Sequence, residues 1–351
     1  MKPTTARAVV FAYHTVGVRG LATLLDHGLA IPLVITHTDD PNETLWFDSV
    51  AEWADREGIP VLTPDSPNTT DVLARVAACK PDFIFSFYYR HLLGAGLLAI
   101  PTRGAYNLHG SLLPQYRGRV PINWAVLHGE RQTGASLHRM VVKADAGDLV
   151  DQEPVTILDN DTAHGVFQKV VCAGERVLQR SVPRLLAGNA LHTPLDLARG
   201  SCFGRRRPED GRIDWQTPAW TIHNLIRAVA PPYPGAFFDY GSTRIQVLGS
   251  HFRRESAKAS TPSPRLYWEE GRCYVDCVDG LRLLLTRLAV ADQPLDEEGF
   301  RALKQVPLAI KVPNIETRAA MAEADAIAHT HQARFGTATE LFDDLEKNSG
   351  K

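Results

Sequence analysis

Asn107-Leu108-His109-Gly110-Ser111-Leu112-Leu113-Pro114, continuing through Tyr116, Arg117, Gly118 and Arg119, is the stretch on which the reading of this chain turns. Its lead-in, Ala105-Tyr106-Asn107-Leu108, has the character of a strand end. Gly110, Pro114 and Gly118 then punctuate a tight loop. A strand that ends in such a loop displays its last side chains at the carboxyl edge of a sheet, where open α/β folds bind ligands. Asn107 and His109 are two apart on extended backbone and so point to one side. An amide that can donate to an oxyanion beside an imidazole that can move a proton is suited to acyl transfer. The same pair also occurs as satisfied structural groups at strand ends, so the pair alone does not decide the chemistry.

Working outward, apolar runs and helical patterns alternate. Ala8 to Ala12 reads as a strand, followed by Tyr13-His14, a turn at Gly17 to Gly20 and a helical pattern opening at Leu21. Strands follow at Ile31 to Thr36, Ile59 to Leu62 and Asp82 to Phe87, with helices at Glu43 to Glu57 and Val72 to Ala78. This spacing predicts a Rossmann-like α/β unit, a mainly parallel sheet with helices on both faces. Its carboxyl edge would gather Tyr13-His14, Tyr88 to His91 and Asn107 to His109. The glycines after the first strand do not form G-x-G-x-x-G, which argues against a dinucleotide site. A strand at Leu149 to Ile157 and a long helix at Ala163 to Leu186 come next. Cys202 to Trp215, rich in Arg, Pro, Asp and Gly, reads as a linker. Its triplet Arg205-Arg206-Arg207 is open to two readings, a phosphate contact or a solvated linker. Ala219 to Ala228 is helical, and short strands from Ala236 onward suggest a small open barrel.

Composition narrows the class. The 351 residues are 44% hydrophobic and 22% charged, enough for more than one packed domain. No run approaches the ~18 apolar residues of a membrane span, and no signal-peptide pattern opens the chain, which predicts a cytoplasmic protein without membrane insertion. A net charge of -2 argues against a nucleic-acid partner. The five cysteines lack metal spacing, so no metal is expected, and Cys273 and Cys277 read as buried free thiols.

NLHGSLLPQYRGRVPINWAVLHGE (107–130), followed by TGASLHRMVVKADAGDLV (133–150), resembles the 10-formyltetrahydrofolate-dependent formyltransferases, whose signature is Asn-x-His with an Asp about three dozen residues later. FAYHTVG (11–17) and FSFYYRHLL (85–93) are similar to the formyltransferase half of the ArnA-type enzyme, over about residues 7 to 290. The resemblance implies catalytic roles for Asn107, His109 and Asp145. It implies that His91, Leu92, Leu93, Arg119 and Val141, Val142, Lys143, Ala144 and Asp145 hold the folate donor. The implied acceptor is UDP-4-amino-4-deoxy-L-arabinose, in lipid A modification and polymyxin resistance; another nucleotide-linked amino sugar or methionyl-tRNA is the alternative. The oxidative decarboxylase of the full ArnA-type protein is not expected here.

The implied layout is a catalytic domain over 1–203, an OB-like open barrel over 204–300 and a helical tail over 301–351. LAIKVPNIETRAAMAEADAIAHTHQARFGTATELFDDLEK (308–347) resembles the C-terminal half of RelB/DinJ-type antitoxins, which implies a toxin as partner for the tail. The DNA-binding segment that precedes it in that family has no counterpart in the sequence, so DNA binding is not carried over.

Overall fold

The computed structural model describes residues 5–39, 45–257 and 264–303. The expected antitoxin-like tail, and with it the toxin partner, lies beyond Leu303 and outside the described residues.

β1 (Arg7–Ala12) is buried along nearly its whole length, as expected for a central strand covered on both faces. It leads into α1 (His14–Asp26) and β2 (Ala30–Ile35). α2 (Val50–Arg56) is shorter than the pattern over Glu43 to Glu57 predicts. Ser49 caps it by accepting from the Glu52 N–H at 3.3 Å, while Trp46 and Phe47 pack against the His14 ring instead of entering the helix. β3 (Val61–Leu62), α3 (Thr70–Ala78), β4 (Phe83–Phe87), α4 (Ala95–Leu98) and β5 (Gly104–His109) follow. The chain then makes a two-residue strand β6 (Arg117–Gly118), α5 (Pro121–Leu127), β7 (Gln132–Arg139), β8 (Leu149–Thr156) and α6 (Ala163–Ala187). α6 is delimited by its ends: Thr162 accepts from the Gly165 N–H, and Gly188 takes the left-handed conformation that stops it.

The sheet order is β3-β2-β1-β4-β5-β7-β8. The first five strands are parallel, β7 runs against them, and β8, antiparallel to β7, runs with them again. From β1 the chain first builds outward through β2 and β3, then returns to place β4 on the other side. The carboxyl ends of β1 and β4 therefore border the crevice of a topological switch point. Tyr13-His14 and Tyr88-Tyr89-Arg90 stand there, with the end of β5 next to them.

The segment from Cys202 to Trp215 runs from the first core into the second, as a linker does, but its ends are packed. Cys202–Phe203 forms a short strand, β9, paired in parallel with β6, and the buried Phe203 ring stacks on Tyr116 and Trp124. Ile213 and Trp215 already belong to the second core. That core lies between α7 (Ala219–Val229) and an antiparallel sheet of β10 (Ala236–Tyr240), β11 (Thr243–Ser256), β12 (Arg265–Glu269), β13 (Arg272–Asp276), β14 (Leu281–Val290) and β15 (Gln293–Pro294). The order β10-β11-β14-β13-β12, with β15 on β14, is an antiparallel sheet, where the short strands suggested a small open barrel. Phe300 of α8 (Glu297–Leu303) fills this core. Cys273 and Cys277 are buried free thiols, each pushed up to about 12 by burial.

The two units are joined by buried polar groups. Asn123 Nδ2 donates to the Ala228 carbonyl at 2.8 Å. Arg227, 2% exposed, donates to the Leu158 and Asp161 carbonyls at 3.2 and 3.0 Å. No helix among the described residues is long and apolar enough to cross a membrane.

Candidate active site

The loop after β5 is fixed by its own polar side chains. Ser136 Oγ receives the Leu113 N–H and donates to the Ser111 carbonyl, and Ser111 Oγ donates to the Gln115 carbonyl. Tyr116 and Arg117 then dock their N–H groups on Ser201, just before β9. The segment 140–148 folds back from the end of β7, and Gly147 permits it: a Cβ there would stand 2.0 Å from the Arg139 carbonyl oxygen. Asp145 sits on this segment at φ 47, in the left-handed region. Left-handed non-glycine residues also occur nearby at His14, Tyr88, Tyr116 and Val120, and such backbone is held at a cost of ~1–3 kcal/mol each.

These segments meet at the three residues singled out from the sequence. His109 Nδ1 lies 3.6 Å from Asp145 Oδ1. Asp145 Oδ2 accepts the Gly118 N–H at 2.9 Å, which ties the carboxylate to β6. Asn107 and His109 face one side as expected, and Asn107 Nδ2 approaches His138 Nε2 at 3.1 Å. That same Nε2 is 3.5 Å from Asp145 Oδ1, so His138 joins the amide to the carboxylate. His138 Nδ1 faces the Arg139 carbonyl at 3.0 Å. A carbonyl only accepts, so in the neutral ring the proton is on Nδ1 and Nε2 accepts one N–H of Asn107. The second Asn107 N–H remains for another acceptor.

His109 is more constrained than the sequence suggests. Its Nε2 faces the Tyr116 carbonyl at 2.8 Å and therefore donates to it, while Nδ1 faces Asp145. The imidazolium satisfies both sides of this arrangement. Burial by itself would raise the Asp145 pKa; the His109 imidazolium foremost, with the Gly118 N–H, outweighs it and holds the carboxyl well below the usual carboxylate range. The site thus carries a fixed anion beneath two imidazoles.

The expected donor-binding segments also converge. Arg119 Nη2 lies 3.4 Å from the Arg90 carbonyl, so the segment 90–92 adjoins 118–120, and the bond from Gly118 to Asp145 brings in 141–145. Leu92, Val120, Val141 and Val142 expose apolar side chains along these segments. His91, Arg119 and Lys143 are exposed and Ala144 is half-buried. The Leu93 side chain is committed to the core with Val72, Val76 and Leu97, which leaves only its backbone for a ligand. His138 was not singled out from the sequence, and Tyr116 and Gly118 were read there only as parts of the loop. Only the β5–β7 register, Asn107 opposite His138, reveals the first of them.

A family model described as Formyl transferase matches residues 19–182, and one described as Formyl transferase, C-terminal domain, matches residues 206–296. Among solved structures, the chain is similar to an N-formyltransferase from Helicobacter canadensis in complex with folinic acid and dTDP-3-aminofucose. The identity is 18%, the TM-score 0.63, and the match covers 83% of this chain and 100% of that one. WlaRD, a sugar 3N-formyl transferase in the presence of dTDP and 5-N-formyl-THF, matches at 18% identity and TM-score 0.65, over 83% and 99% of the two chains. HypX from Aquifex aeolicus in complex with tetrahydrofolic acid matches at 16% identity and TM-score 0.58, over 86% of this chain and 47% of that one. At these identities the structural likeness is one of fold.

Proposed function

The chain belongs to the formyl transferase family, with both of the family's domains, and from that premise we propose that it transfers a formyl group from 10-formyltetrahydrofolate to the amine of a nucleotide-linked amino sugar. The observation that carries the reading is the convergence of Asn107, His109 and Asp145 at the carboxyl edge of the sheet. The exposed apolar rim of Leu92, Val120, Val141 and Val142 suits the flat ring of a folate, and Arg119 offers it a cation. Solved structures of like fold carry folinic acid with dTDP-3-aminofucose, and 5-N-formyl-THF with dTDP, which supports both substrate classes.

In the proposed reaction the N–H of Asn107 not given to His138 donates to the formyl oxygen as charge builds on it. One such donor is worth ~3 kcal/mol in a closed site. His109 acts as the neutral ring, with its proton on Nδ1 toward Asp145 and the Nε2 proton given up to solvent; Nε2 receives a proton from the attacking amine and returns it to the folate nitrogen as the carbon–nitrogen bond to it breaks. To do so Nε2 exchanges the Tyr116 carbonyl for the reacting nitrogen. Asp145, ionised, orients the ring and stabilises the imidazolium through the transfer.

Within the class, the FAYHTVG and FSFYYRHLL segments support UDP-4-amino-4-deoxy-L-arabinose as acceptor, and with it a role in lipid A modification. The test is a formylation assay that presents this nucleotide sugar, a dTDP-linked amino sugar and methionyl-tRNA side by side, with the N-formyl product identified by mass. Formylation of the arabinose nucleotide at the highest kcat/KM is expected. Preference for methionyl-tRNA would overturn the acceptor class.

A further inference from the structure

The reading above uses Arg119 only as a cation for the folate and gives no part to the arginines of the arm between the domains. The ladder between β6 and β9 pairs Gly118 with Phe203, and the next bond runs from the Arg119 N–H to the Phe203 carbonyl at 2.9 Å. This register sets the backbone of Arg119, in the loop after the catalytic strand, against the carbonyl two residues before Arg205, in the arm that leads into the second domain. Gly118 makes the approach possible, since a Cβ there would stand 2.3 Å from the Phe203 oxygen. Trp124 Nε1 donates to the Gly204 carbonyl at 3.1 Å and so fixes the peptide before Arg205.

The neighbours in the triplet are otherwise engaged. The Arg206 guanidinium lies over the Trp124 ring, 5.0 Å from its centroid, and donates to the Asp210 carbonyl. The Arg207 N–H is held by the Asp210 carboxylate. Arg119 and Arg205 are both exposed, and among the described residues no carboxylate forms an ion pair with either. The guanidinium end of Arg119 is partly desolvated although the residue as a whole is exposed, and this first, then the charges of Arg205 and Arg90, holds it below its ordinary range. Two like charges held on neighbouring segments repel, and planar guanidinium forks are suited to bind phosphate or carboxylate oxygens in two-point fashion.

We propose that Arg119 and Arg205 together form an oxyanion-binding subsite, so that the arm between the domains supplies one wall of the substrate site. This rests on the reading above for its sources of oxyanion, which are the phosphates of a nucleotide-linked acceptor and the glutamyl carboxylates of the folate donor.

The test uses the full chain and the variants Arg205→Ala, Arg205→Lys and Arg119→Ala, with Arg75→Ala, a surface arginine paired with Asp71 on α3, as charge-matched control. Inorganic pyrophosphate binding is read by calorimetry, and both KM values by initial rates. Arg205→Ala is expected to weaken pyrophosphate binding and to raise one KM by about 10-fold or more, with kcat held within about 2-fold. Arg205→Lys recovers part of the loss, because it keeps the charge without the fork. A rise in acceptor KM, with pyrophosphate competing against acceptor, assigns the subsite to phosphate. A rise confined to polyglutamylated donor assigns it to carboxylate. Unchanged KM values and unchanged pyrophosphate affinity in Arg205→Ala, or equal losses in Arg75→Ala, overturn the proposal. Pyrophosphate binding does not depend on formylation, so a parent that formylates no amino sugar refutes the function while the calorimetric arm still decides the subsite.

Discussion

His138 and Asp145 make the reactive pair more than two residues on one strand. Asn107 has one N–H satisfied by His138 Nε2 at 3.1 Å, which aims the other outward. His138→Ala should therefore lower kcat by about 10-fold while KM for both substrates changes little, because an unaimed amide loses oxyanion stabilisation but no ground-state contact. Steady-state kinetics check this, and an unchanged kcat would show that Asn107 needs no such support. Asp145→Asn removes the anion beneath both imidazoles and should cost about 100-fold or more in kcat, again with KM near the parent value. Asn107, His109 and Asp145 were legible in the sequence because the motif carries their identities. His138 was not, although it stands in the same quoted run. Its role follows from an antiparallel register between β5 and β7 that no local pattern encodes. The use of both His109 nitrogens, one of them on a backbone carbonyl seven residues on, was equally out of reach.

Elements were readable where their pattern is local. The buried runs of β1 and β4 and the long amphipathic α6 with its Thr162 cap fall close to the expected bounds. β7, with Thr133, Gly134, Ala135 and Ser136 in its first half, lacks strong strand formers and takes its form from the neighbours on either side. Cys202 to Trp215 reads as a linker from its polar, proline-containing composition, which does not tell that Phe203 and Trp215 anchor its ends in two different cores. The join between the units rests on α7. Arg227→Ala would strand the Leu158 and Asp161 carbonyls and leave a hole beside the Trp220 ring. Its expected cost is about 2–4 kcal/mol, seen as a lower denaturation midpoint, and Arg227→Lys should recover only part of it. A loss below about 0.5 kcal/mol would mean that the units are held together by their apolar contacts alone.

For the whole molecule, buried neutral histidines set an acid limit. His223 is fully buried, donates from Nε2 to the Asp159 carbonyl and accepts from Ser250; burial chiefly lowers it to about 4. His14 is lowered to about 3, by burial first and then by Arg90 and His164. A histidine whose folded pKa is depressed leaves the unfolded chain binding more protons between the two values. Its stabilisation is complete above about pH 6.5 and is lost as the pH falls toward its folded value. Each such group contributes a slope of ~1.4 kcal/mol per pH unit in that window. Denaturant melts from pH 7 to 4 should show stability falling below about 6.5, with a smaller slope in His223→Gln; a flat profile would contradict the burial of these rings in neutral form.

The central claim is that formyl transfer runs through His109, set between the Tyr116 carbonyl and Asp145. Single-turnover transfer from 10-formyltetrahydrofolate to the preferred amino sugar, compared between the parent and His109→Ala at saturating donor and acceptor, tests it most directly. The account predicts a rate reduced by about 100-fold or more, with folate affinity by fluorescence titration near the parent value. Transfer by His109→Ala at close to the parent rate would contradict it.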